Sequence, residues 1–95
     1  MFVSLDEARD SGAAYLHVTG EIVPNGTLRY FVKIALIEVG GTVREIVRRR
    51  RMTFDQARER TETEAKKQGA LYAVMELPLQ TLATITMTLP GRSPA

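Results

Sequence analysis

Two tight-turn signals, Asn25-Gly26 and Gly40-Gly41, cut the first half of this chain into three short runs, and that division constrains the fold more than any other feature. Asn-Gly tolerates the positive φ of both central positions in a type I′ turn, and paired glycines do the same at no steric cost. The runs themselves, residues 13–23, 28–39 and 42–50, are rich in β-branched and aromatic side chains that suit a pleated surface. Strands joined by loops this short must be antiparallel neighbours, so the spacing predicts a three-stranded meander.

The next element is helical. Thr53-Phe54-Asp55-Gln56 has capping-box spacing, Phe54, Ala57, Thr61, Ala65 and Gln68 recur with helical period, and Gly69 stands where a left-handed residue ends a helix. The opposite face of this helix, over about residues 54–68, carries Arg58, Glu59, Glu62, Glu64, Lys66 and Lys67. Its apolar stripe is narrow and made of small residues, suited to lying close on a sheet. A shorter turn over residues 4–10 is marked by Ser4 and Glu7 at capping distance and by Gly12. Residues 70–77 read as a fourth strand, interrupted by Pro78, and residues 79–89 as a fifth, half-buried one in which Ile85 and Met87 face one way and Thr84, Thr86 and Thr88 the other. The threonine row reads as a solvated strand face. The expected fold is α+β in the order β-β-β-α-β-(β), with an antiparallel sheet and one helix packed on it. Residues 1–90 form a single domain and 91–95 a disordered tail.

Two-residue loops at both turns place Glu21 opposite Tyr30, His17 opposite Ile34, Ile34 opposite Val47 and Val32 opposite Arg49. Both faces of such a sheet are substantially apolar, whereas a solvated face should be polar. One helix covers one face. The other then needs the C-terminal strand or a second copy of the chain, and this argues for a homodimer formed through Phe31, Ile37, Ile85 and Met87.

Four consecutive arginines, Arg48 to Arg51, end the third strand. Like charges this close repel, so the run either keeps an exposed sheet edge from pairing or awaits an anion. In an extended strand Arg49 and Arg51 point to one face and Arg48 and Arg50 to the other. Lys33 and Arg44, with Arg29, Arg48 and Arg50, share the Phe31 face in this register, an arrangement able to contact phosphates and stack a base.

The whole chain has 13 basic and 11 acidic residues, a formal net charge of +2, so a nucleic-acid reading depends on where charge sits and not on how much there is. There is no cysteine, which excludes disulfides and thiolate metal sites and suits a reducing compartment. The single histidine, His17, has no carboxylate within hydrogen-bonding reach by construction, and it cannot build a zinc site by itself. No calcium loop, phosphate loop or nucleophile motif appears, so neither a metal nor a cofactor is expected and the chain reads as a non-enzyme. No apolar stretch reaches the length of a membrane span, and the start lacks the pattern of a signal peptide, so a soluble cytoplasmic protein is expected. The leading expectation is a non-catalytic interaction module that self-associates through a sheet face or edge and binds a protein partner. The alternative is a nucleic-acid binder using Arg48 to Arg51, Arg44 and Lys33.

Overall fold

A computed structural model of the chain describes residues 1–24 and 28–79. Helix α1 (Leu5–Ser11) precedes strands β1 (Tyr15–Ile22), β2 (Arg29–Ile37) and β3 (Val43–Thr53), which are followed by helix α2 (Phe54–Gln68) and strand β4 (Tyr72–Glu76). The sheet order is β3-β2-β1-β4. The fold is therefore α+β with the expected meander, but the sheet is mixed, because β4 runs parallel to β1. The expectation of an antiparallel sheet is corrected by the helix. At about 1.5 Å per residue, the 15 residues of α2 return the chain to the end of the sheet where β3 began, so the next strand must run in the same direction as β3. The crossover carries it past β2 to the far side of β1.

Both helices are delimited by the caps the sequence announces. The Thr53 hydroxyl accepts from the Gln56 N–H at 3.2 Å, and the Gln56 side chain accepts from the Thr53 N–H at 2.9 Å. The Ser4 hydroxyl accepts from the Glu7 N–H at the start of α1. Gly69 ends α2 at φ 69°, a left-handed conformation that side chains with a Cβ resist.

The register differs from the expected one. Tyr15 pairs with Ile37, Leu16 with Leu36, Val18 with Ile34 and Glu21 with Phe31, one residue offset from a two-residue turn at Asn25-Gly26. That turn lies outside the described residues, but its neighbour explains the offset. A two-residue loop there needs Pro24 to donate an N–H to its cross-strand partner, and proline has none. The ladder closes instead with the Val23 N–H on the Arg29 carbonyl at 3.0 Å. The second hairpin closes through the Glu38 N–H on the Thr42 carbonyl, around a loop of Val39, Gly40 and Gly41 with both glycines at positive φ.

A one-residue slip exchanges the faces of a strand. Here it gathers Leu16, Val18, Tyr30, Val32, Ile34, Leu36 and Val47 on one side, with Met52 and Ala73, against Ala57 of α2. Thr61 of α2 is also buried, its hydroxyl donating to the Ala57 carbonyl. Glu64, expected on the outer face, is buried beside Arg60 and Lys67 at 3.9 and 3.7 Å, while Phe54, expected on the inner face, is exposed. On the opposite side of the sheet α1 covers one end only, with Ala8 packed on Tyr15 and Val74 and with Ile37 and Tyr72 at the margin. The rest of that face is polar, so the expectation of two apolar faces does not hold in this register. The outer side of β4 is partly covered by the N-terminal residues, where the Val3 N–H donates to Ala73 O and the Ala73 N–H to Met1 O, both at 2.9 Å. Among the described residues β3 is hydrogen-bonded to a strand on one side only.

Candidate functional site: an arginine-flanked aromatic on the open sheet face

The site is shaped by two irregularities in β3. Val47 pairs with Ile34 and Arg50 with Val32, so two residues, Arg48 and Arg49, stand opposite the single Lys33. A second extra residue, Ile46, lies between the pairs Ala35–Glu45 and Ile34–Val47. A bulge of this kind breaks the alternation of side chains and twists the strand. The four arginines, expected to divide two and two, divide three and one. Arg48, Arg49 and Arg51 lie on the open face, and Arg50 lies opposite Val32 on the helix side.

Phe31 is the centre of the group. The Arg49 guanidinium sits over its ring at 4.1 Å from the centroid, and that of Arg51, its cross-strand partner, at 5.7 Å. Both are within the range of cation–π attraction. A concavity of about 550 Å³ surrounds the ring, lined by Thr19, Gly20, Glu21, Lys33, Arg48 and Arg49. Arg48 donates to Glu45 at 2.8 Å, and Lys33 approaches the same carboxylate at 3.8 Å. Arg49, Arg50 and Arg51 form no ion pair with any described residue. Residues 25–27 and 80–95 contain no aspartate or glutamate, so the chain holds no further carboxylate side chain for them.

Of the other residues singled out in the sequence, Lys33 joins the Phe31 concavity, whereas Arg44 faces the helix and donates to Gln68 at 2.6 Å. Ile37 is half-buried under α1 and so is already covered within the chain. Ile85 and Met87, the threonine row and the tail lie outside the described residues. His17 contacts Glu76 of β4, not Glu21 or Glu45. That contact was not legible in the sequence, because it depends on β4 lying parallel beside β1. It ties the two strands together on the open face. Glu21 was considered only as a partner for His17. Its place beside Phe31 follows from the true register.

Among the described residues no three His, Asp or Glu side chains converge as metal ligands, and no helix is long and apolar enough to cross a membrane. No family model matches the chain, and no curated protein or solved structure matches it.

Proposed function

We propose that this domain is a non-catalytic cytoplasmic module that binds single-stranded nucleic acid across the open face of its sheet. The observation that carries the reading is the Phe31 ring, set in a concavity and flanked by two arginines that no carboxylate neutralises. Cations that are fully solvated and mutually repelling add nothing to the fold. Placed around an aromatic, they match a polyanion whose bases can stack while its phosphates are neutralised. Duplex bases are already stacked and paired, so a ring on a sheet face cannot reach them, and the reading is specific to single strands. When a base reaches Phe31, Arg49 must leave the ring, and its guanidinium becomes available to a phosphate.

Replacing the ring while keeping an apolar side chain tests this. Phe31→Leu should weaken binding of a fluorescent single-stranded oligonucleotide about tenfold, the effect of one lost base stack, in an anisotropy titration at low salt. An unchanged affinity removes Phe31 from the site.

A second reading has its own observation. The outer edge of β3 is unpaired among the described residues, and Val43 at its start is exposed. An added strand from a second copy or a protein partner could pair there. On this reading the arginine run limits which strands are admitted, by repelling basic ones. A light-scattering mass twice that of the chain, reverting to one on Val43→Lys, favours it.

A further inference from the structure

A carboxylate has no evident place on a surface that attracts phosphates, yet Glu21 stands at the centre of this one. It is the direct cross-strand partner of Phe31 and lines the same concavity. Directly opposed residues on one face hold their Cβ atoms about 5 Å apart, so the carboxylate lies at the rim of the ring and within reach of the edge of anything stacked on it. Glu21 is exposed and has no ion pair with any described residue, so it does not lock the fold. The cations lie on the other strands. Arg51 faces Phe31 from β3, while Arg49 and Lys33 lie next to it in the concavity. The ring is thus bordered by a lone acceptor on the β1 side and by donors on the β2 and β3 side.

We propose that Glu21 selects which base Phe31 accepts, favouring bases that present an amino group over those that present a carbonyl at the same position. This rests on the reading of the open face as a single-strand site and names the specificity of that site. A base stacked on Phe31 with its phosphates toward Arg49 and Arg51 turns its pairing edge toward β1. A carboxylate there accepts the N4 amino hydrogens of cytosine and is repelled by the O4 of uracil. The two bases are otherwise nearly the same in shape and stacking surface, so they isolate this contact.

The test is fluorescence anisotropy of the full chain, at one low salt concentration, with labelled oligocytidylate and oligouridylate of about 12 nucleotides. Their deoxy counterparts, oligo-dC and oligo-dU, are titrated alongside. Cytosine strands should bind about tenfold tighter than uracil strands. Glu21→Gln should bring the two within about twofold, because an amide can turn its N–H toward the uracil carbonyl. A preference in both sugars, or in one of them, supports the assignment and states which nucleic acid the face takes. Equal binding of cytosine and uracil strands by the natural chain, or a preference that survives Glu21→Gln, overturns the role of Glu21 while leaving the open-face site in place. If none of the four strands binds, the reading of the face itself fails.

Discussion

Replacing Arg49, Arg50 and Arg51 together with serine should weaken binding of a single-stranded oligonucleotide by about 100-fold at low salt and reduce the salt dependence of the affinity by about two counterions. The size of the effect follows from the ion-pair pattern. Arg48 is held by Glu45, so its charge is partly spent within the protein, whereas the next three arginines have no such partner. Each phosphate a cation neutralises on a single strand contributes about 0.7 to the slope of log K against log salt. The fold should be nearly indifferent to the change, or slightly stabilised, because exposed like charges repel. A circular dichroism melt checks this alongside the titration. Binding that survives with an unchanged salt slope would place the anion site elsewhere.

The second large effect is structural, and it reaches the site through the backbone. Gly20 lies on the helix side of β1, opposite Val32. A Cβ at this position would stand 2.7 Å from the Phe31 carbonyl oxygen and 2.8 Å from Leu77 Cδ2. Leu77 is a flexible side chain and can move, but the carbonyl belongs to the sheet and cannot move without shifting β2. Gly20→Val should therefore cost about 3 kcal/mol, in the upper range for overpacking. In a domain of this size that lowers the melting temperature by roughly 12–20 °C. Urea denaturation gives the free energy, with an unchanged m-value showing that the loss lies in the native state. A loss below about 1 kcal/mol would mean that the two strands separate readily at this point, against the tight approach described for overpacked cores. Because the carbonyl that must move is that of Phe31, the variant should also weaken binding among the molecules that remain folded.

The parts of this fold that were legible in the sequence are those governed by chemistry within a few residues. Ser4 and Thr53 cap their helices and Gly69 ends α2 as their spacing predicts, since each depends on a local hydrogen bond or a local φ. The meander was legible from its two turn signals. The register was not, because it turned on an N–H that Pro24 lacks and on where apolar side chains from three strands could be buried together. The bulges in β3 were not legible either. They reconcile an eleven-residue strand with a nine-residue neighbour while keeping Val32, Ile34 and Val47 on the core side. The same adjustment places a third arginine on the open face, so the composition of the candidate site results from how the core packs. Phe31 was noted as an aromatic among cations, but the cations first assigned to its face included Arg44 and Arg50, which face the helix side. Arg49, Arg51 and Glu21 took their places through the one-residue slip and the bulge. The contact of His17 with Glu76 required knowing that β4 returns parallel to β1, which follows from the length of α2 and the direction of β3.

The most direct measurement is a backbone amide chemical-shift titration of the isotope-labelled chain with an unlabelled cytosine-rich single strand at low salt. Binding across the open face predicts the largest shifts at Thr19, Glu21, Phe31, Lys33 and Arg48 to Arg51, with the amides on the outer side of α2 nearly still. No shifts at low salt, where electrostatic attraction is least screened, or shifts centred on α2 and the N-terminal residues, would contradict the account.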